Sequence, residues 1–342
     1  MAEKNDKKFD WDICGHKKII EFLQLSITNR KIAQAYLFSG PAQLGKYSVA
    51  KKFIASIFCQ GQSKIIPCND CLHCRQLLNN IHPDVFFIKR ETDEKTGKLR
   101  KDISVDQIRK LKGSLQQASL LDSYKVAIIP EAQYINGNSA NALLKALEEP
   151  TAKTVIILIT NDINKIPPTI VSRCQRLKFL PVASEQIRDY LKIKNIKEPD
   201  KLARLAANRP GLALTFWESE ELRENHSFNV GKFLEIIDAS TDRRFALAEE
   251  LTGWTSDETL NANQVNKLVA DWQLVVRDFL LLNCDKESLV SNLDFLASFK
   301  KYLAAFPSKK IGQLLKSLAQ VKFQLNQNVN SKLVLENLII NL

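Results

Sequence analysis

Two stretches of this sequence carry side chains whose types and spacing can do chemistry. The first, GPAQLGKYS, sets Gly40, four residues, then Gly45 and Lys46. That spacing lets backbone N–H groups close around a phosphate while the lysine reaches its outer oxygens. A loop that works on magnesium-bound nucleotide places a Ser or Thr hydroxyl next. Here the residue is Tyr47, whose phenol oxygen lies well beyond a serine's reach. Ser48 comes one residue late, turned about 100° around a helix. The second stretch, CQGQSKIIPCNDCLHC, spaces Cys59, Cys68, Cys71 and Cys74 as C-x8-C-x2-C-x2-C. Four thiolates so close in sequence can complete a tetrahedral zinc shell with no open position, which is a structural site. The C-x2-C-x2-C run also opens iron–sulfur motifs. Those continue with a fourth cysteine followed by proline, where this chain has Arg75 and Gln76. Zinc is therefore the expected metal. His73, between two ligands, is expected to face solvent, and Cys14, Cys174 and Cys284 to be ordinary small core residues.

A third stretch bears on the first. KVAIIPEAQYI, residues 125–135, reads as a short buried strand ending in Pro130 and Glu131. A phosphate-loop enzyme holds its magnesium partly through a carboxylate on a strand of this kind. Pro130 has none, and a proline is tolerated at a strand end, where its missing N–H breaks no central ladder. Glu131 alone has no metal partner. Tyr47 and Pro130 are two independent losses in one metal site, and together they predict a phosphate-loop fold without hydrolysis. Whether Gly40, Gly45 and Lys46 still hold ATP is left open by the sequence.

The elements that must position these residues alternate in period. AYLFSG is a strand running into the glycine loop. In YSVAKKFIASIFC, Val49, Ala50, Phe53, Ile54, Ile57 and Phe58 share one helical face. PDVFFIK is a strand, and SVDQIRKLKGSL a helix opened by Ser104 with Gln107 three residues on, a capping box. After KVAII comes the helix NSANALLKALEEP, carrying Ala140, Leu143, Leu144 and Leu147 and expected to stop at Pro150. TVIILIT and QRLKFLPV complete the strands. Strand–helix alternation argues for a mostly parallel sheet covered by helices. After about residue 182 the strands cease. Short helices are expected over 184–217, the polar stretch ESEELRENHS (218–227) as a linker, and an amphipathic helical bundle from 228 on, broken by Pro307. The charged run 91–102 reads as a solvated loop.

At 342 residues the chain has ample core for two or three domains. Its 49 basic and 38 acidic side chains leave a net charge of +11. Residues 1–180 hold 28 of the basic and 17 of the acidic ones, which leaves 21 of each for 181–342. The whole excess lies in the first half, as suits contact with a polyanion such as nucleic acid. No apolar run approaches the roughly 18 residues of a membrane span, and the start MAEKNDKKFDWD has no signal-peptide core. Seven cysteines without a secretory signal point to a reducing cytoplasm.

Together these pieces resemble the clamp-loader subunits of the AAA+ ATPase superfamily. ICGHKKIIEFLQLSITNRKIAQAYLFSGPAQLGK looks like that family's opening, with Gln34 where histidine is usual. The cysteines fall where its zinc module is inserted, and NALLKALEEP and ITNDINKIPPTIVSRCQRLKF match long family stretches. The likeness covers roughly residues 9–182 and extends through RPGLAL to about 214. It implies an α/β chain: a P-loop AAA+ domain with a parallel sheet over 1–181, its zinc module at 59–74. A small helical lid over 182–220 and a C-terminal helical collar over 221–342 would follow.

In this family the arginine of Ser172-Arg173-Cys174 reaches into a neighbouring subunit's ATP site, so Arg173 is the expected arginine finger. Thr160 and Asn161 fall at the family's first nucleotide sensor. Active subunits also carry a lid arginine where this chain has Gly211, a third departure of the same sign. The resemblance therefore implies a non-hydrolysing stator of a DNA polymerase III clamp loader. Its partners would be the gamma or tau and delta subunits, the sliding clamp and primer–template DNA, with no membrane and with ATP binding undecided. The alternatives are an active gamma- or tau-type ATPase and, suggested by the basic first half, a free-standing DNA-binding regulator.

Overall fold

The computed structural model describes residues 8–342 apart from 94, 96, 98, 118, 120–122, 150, 152, 253–261 and 328. Its contacts divide the chain into two units, one of residues 1–186 with 209–211, the other of 187–208 with 212–342.

The first unit opens with β1 (Lys8–Phe9), α1 (Lys17–Thr28), β2 (Ala35–Ser39) and α2 (Lys46–Phe58). Then come β3 (Ile65–Ile66), α3 (Leu72–Leu78), β4 (Val85–Phe87) and α4 (Val105–Gln116). It continues with β5 (Lys125–Ile129), α5 (Gly137–Glu148), β6 (Thr154–Thr160), α6 (Pro168–Val171) and β7 (Gln175–Lys178). Five strands form one sheet in the order β4-β5-β6-β2-β7, every pair parallel; β1 and β3 pair separately beside the cysteine segment. The alternating pattern explains the layers. Along β2, Tyr36 and Phe38 pack with Trp11, Leu23, Phe53 and Phe179 on one face. Leu37 packs with Leu111, Leu143 and Leu158 on the other. Every residue of β2, β5 and β6 is buried, as in parallel sheets covered on both faces. Burying one such large side chain is worth about 1.5–3 kcal/mol.

Local signals hold at the helix starts. Ser104 Oγ accepts from the Gln107 N–H at 3.3 Å while Gln107 Oε1 accepts from the Ser104 N–H at 3.0 Å, the capping box read from the sequence. Asn136 caps α5 through the Ser139 N–H at 2.9 Å. Pro150, expected to stop α5, lies outside the described residues, as do three residues of the charged run 91–102.

The remaining helices are α7 (Ser184–Ile193), α8 (Pro199–Leu205), α9 (Pro210–Glu218), α10 (Glu220–Asp238), α11 (Thr241–Thr252), α12 (Ala262–Asn283), α13 (Leu296–Tyr302), α14 (Ser308–Asn326) and α15 (Ser331–Ile340). In the second unit α10 to α15 surround a core that includes Phe233, Trp272, Phe279, Phe299 and Leu335. In the expected linker 218–227, Glu218 instead ends α9, Ser219 caps α10 and residues 220–227 are the first part of α10. Ser219 Oγ accepts from the Leu222 N–H at 3.3 Å, and Glu220 and Glu221 favour the helix N-terminus. One residue of that stretch, His226, is buried. Both its ring nitrogens face acceptors, Asp271 Oδ1 and Asn292 Oδ1, each at 2.7 Å. The Asn292 amide is oriented by its N–H donation to Asp278 Oδ2 at 2.7 Å. An acceptor at each nitrogen favours the doubly protonated, charged ring. Burial works against that charge, but the Asp271 carboxylate outweighs it and holds the His226 pKa above its ordinary value.

Candidate functional site

Because the strands run one way, the loops after β2, β4, β5 and β6 all leave from the carboxyl edge of the sheet. That is where open α/β sheets place their ligand sites. The loop between β2 and α2 depends on its glycines. A β-carbon on Gly40 (φ +143) would lie 2.3 Å from the Phe179 carbonyl oxygen, and Gly45 begins α2 at φ +84. His16, not singled out by the sequence, ties the loop from α1 through a 2.8 Å hydrogen bond between Nε2 and the Leu44 carbonyl.

Lys46 points back into this loop. Its ammonium donates to the carbonyls of Gly40 and Pro41, and to Asn161 Oδ1 at 2.9 Å. It is 5% exposed, and burial pushes it down to about 8. Asn161 arrives there by register: Ser39 lies beside Thr160 on β6, so the next residues, Gly40 and Asn161, adjoin. Of the sensor pair, Asn161 reaches the lysine, whereas Thr160 is buried and bonds locally to Asp162. Tyr47 packs partly against the core and Ser48 is exposed. The Gly211 N–H donates to the Gln43 carbonyl at 2.9 Å, and a β-carbon there would stand 2.8 Å from that oxygen.

Glu131 has a partner the sequence reading missed. Arg90 Nε donates to Glu131 Oε2 at 3.1 Å and Nη2 to Oε1 at 3.2 Å, while the guanidinium lies 3.7 Å from the centre of the Tyr134 ring. The β4–β5 register pairs residues 41 apart, Val85 with Val126 and Phe87 with Ile128. Arg90 and Glu131 extend the same offset past the strand ends. The signal was present in the sequence but becomes readable only once that register is known. Beside Pro130, the Arg90 guanidinium thus takes up the Glu131 carboxylate.

Arg173 lies at the opposite, amino edge. It precedes β7, whose first residue Gln175 pairs with Tyr36 near the start of β2. From Tyr36 to Gly40 is about 13 Å along the strand at about 3.3 Å per residue. Arg173 therefore cannot serve the loop of its own chain. Its Nη2 is 2.7 Å from Glu148 Oε1, and Nη1 donates to the Thr169 carbonyl at 3.1 Å. A 190 Å³ cleft adjoins it, walled by Gln34 and by Ala146 and Leu147 of α5.

The four cysteines come together as expected, their sulfurs all within 4.8 Å of one another. Cys68 and Cys74 sulfurs are 3.9 Å apart, close to the roughly 3.8 Å edge of a tetrahedron with 2.3 Å Zn–S bonds. The Cys68 N–H points at Cys59 Sγ and the Cys71 N–H at Cys68 Sγ, both at 3.3 Å. Burial disfavours the Cys68 thiolate, but the N–H groups of Cys71 and Asp70 outweigh it and bring the thiol down to about 6. A β-carbon on Gly61 would lie 2.5 Å from Cys68 Sγ. The donor set therefore fits a tetrahedral thiolate metal. Two expectations for single residues fail. His73 is buried, its Nδ1 3.3 Å from Nε2 of buried His82, whose ring packs on Phe58 at 4.3 Å; the face of α3 that carries it turns toward the end of α2. Cys284, expected in a core, is exposed, because it follows the last residue of α12.

Comparison with known proteins places these features in a family. The family model described as "DNA polymerase III, delta subunit" matches residues 15–183. The chain is 31% identical to DNA polymerase III subunit delta' of Pseudomonas aeruginosa over 319 residues, 90% of this chain and 91% of that one. It is 37% identical to DNA polymerase III subunit tau of Bacillus subtilis over 176 residues, 52% of this chain but 30% of that subunit. It thus spans under a third of the tau relative and nine-tenths of the delta-prime relative. A solved DNA polymerase III gamma subunit-related protein of Thermotoga maritima shares the fold, with a TM-score of 0.50 at 20% identity over 94% of this chain and 97% of that one.

Proposed function

This chain belongs to the family of bacterial DNA polymerase III delta-prime subunits, clamp-loader components, and on that premise we propose that it is a non-hydrolysing stator which lends Arg173 to a neighbouring subunit's ATP site. The observation that carries the reading is the separation of two groups. The phosphate-loop lysine is taken up by oxygens of its own chain, while the arginine stands on the far edge of the sheet. With Tyr47, Pro130, Gly211 and the Arg90–Glu131 pair, nothing in the loop is left to hold a catalytic magnesium. In this reading residues 182–220 act as lid and 221–342 as collar. The four cysteines hold a structural zinc, and the partners are the gamma or tau and delta subunits, the sliding clamp and primer–template DNA. The likeness to tau favours a second reading, an active ATPase.

The test is a loader reconstituted with wild-type or Arg173→Ala chain. The variant is expected to fold and assemble, since an exposed side chain usually changes stability by under about 0.5 kcal/mol, and to lose DNA-stimulated ATP turnover and clamp loading. Such arginines contribute about 10³–10⁵ in rate at a single site; the total loss is smaller because a loader has several. Arg173→Lys is expected to rescue poorly, its point charge being no substitute for a planar fork. Unchanged rates in a fully assembled complex would reduce Arg173 to a surface charge.

A further inference from the structure

Arg173 is long, half-exposed and on a loop, yet the guanidinium is fixed by groups from two elements. Thr169 and Ser172 hold Nη1 from within its own turn, at 3.1 and 3.4 Å. Glu148, the last residue of α5, takes Nη2 at 2.7 Å from across the loop. We infer that Glu148 is a positioning residue for Arg173, its carboxylate presenting the guanidinium to a phosphoryl group held by the next subunit. This rests on the trans-arginine reading and adds a second residue to it.

The exposures argue for positioning over stability. The Arg173 and Glu148 side chains are 39% and 47% exposed, and an ion pair so wet contributes little to holding a fold together. What it does change is the number of places the guanidinium can be. An arginine held before its phosphate arrives loses less freedom on meeting it, and reacting groups benefit steeply from fixed geometry. Glu148 suits the task because it ends a helix whose Ala140 and Leu143 are buried under the sheet, so its backbone does not move with the loop. The side chain of the neighbouring Glu149 makes no ion pair among the described residues; its backbone N–H bonds to the Lys145 carbonyl.

The experiment measures DNA-stimulated ATP turnover by the reconstituted loader, with assembly checked for each variant. Glu148→Ala is expected to lower turnover at the one site Arg173 serves by about fivefold, the factor equivalent to the upper range of an exposed pair, and the loader's total turnover by less, in the same direction as Arg173→Ala. Glu148→Gln, which keeps an acceptor oxygen, is expected to lose about half that factor, and it carries the test if the alanine variant does not assemble. Glu149→Ala is expected to match wild type. In an Arg173→Ala background Glu148→Ala is expected to change nothing further, which a merely structural role would not produce. Equal losses in both backgrounds, an equal loss from Glu149→Ala, or a rate raised by Glu148→Ala would each overturn the assignment. If Arg173→Ala lowers turnover and neither Glu148 variant does, the positioning role fails and the finger stands. If Arg173→Ala itself has no effect, both fall.

Discussion

A backbone oxygen cannot swing aside as a side chain can, and this gives Gly211 a measurable role. Its absent β-carbon leaves room for the Gln43 carbonyl 2.8 Å from where that carbon would be. Gly211→Ala is expected to cost about 1–3 kcal/mol, the usual range for overpacking. Gly113→Ala, in α4 with open space around it, is expected to gain up to about 1 kcal/mol from helix propensity. Opposite shifts in thermal midpoint would establish the difference; equal ones would refute the contact. His226 gives a pH dependence. Its folded pKa is raised by Asp271, so its stabilising contribution is complete below the ordinary histidine value of about 6.5 and is lost as pH rises through the folded value. Asp278, which reaches the histidine through Asn292, is also raised, through burial, so the window that reports on the histidine is the one above its ordinary value. Denaturant titrations at several pH values are expected to show stability falling across that window, and His226→Gln to flatten the fall. Tyr47 and Pro130 stood out in the sequence because each departs from the residue expected at a fixed place in its motif, and Gly211 because it departs from the family the chain resembles. The partners Arg90, His16, Asp271 and Glu148 were not, because each contact joins residues far apart in the chain.

Among the elements, the cysteine module has the sharpest dependence on one atom. Replacing Cys71, the residue that opens α3, by Ser removes one of the four thiolates, and is expected to release the metal and loosen 59–75. Gly61→Ala leaves all four thiols in place but puts a methyl 2.5 Å from Cys68 Sγ, and is expected to weaken metal retention against a chelator without abolishing it. Metal analysis of the purified protein is expected to give one zinc per chain. A full equivalent retained by Cys71→Ser would show that the ligand set is wrong. The cost of losing the metal should stay below the roughly 10 kcal/mol of isolated zinc modules, because His73 and His82 also seat α3 on Phe58. Strands and caps were readable since they rest on neighbours in sequence, as the Ser104–Gln107 box does. The start of α10 was misread as linker because its exposed residues are polar, and the one that turns inward is a histidine whose partners lie 45 and 66 residues away.

For the molecule as a whole, the purified chain is expected to turn over no ATP above background, with or without DNA. Pro130→Asp alone is not expected to revive it, since Tyr47 and the Arg90–Glu131 pair remain. A rate near the roughly 1 per second of ordinary enzymes would instead make it a motor. No helix among the described residues is long and apolar enough to cross a membrane. The single direction of the five strands has one more consequence. It gives the first unit a head and a tail, the loop at one and Arg173 at the other. A twofold contact sets like against like, so two copies so paired could not trade arginine for loop; only a head-to-tail row brings those edges together. In a row of this chain alone, each arginine would meet a loop whose lysine is already bonded at home. Such a row has no incentive to lengthen. On the proposed role of Arg173, such a subunit is expected at the end of a line made by others, where it would fix how many sites the line contains and which way it points.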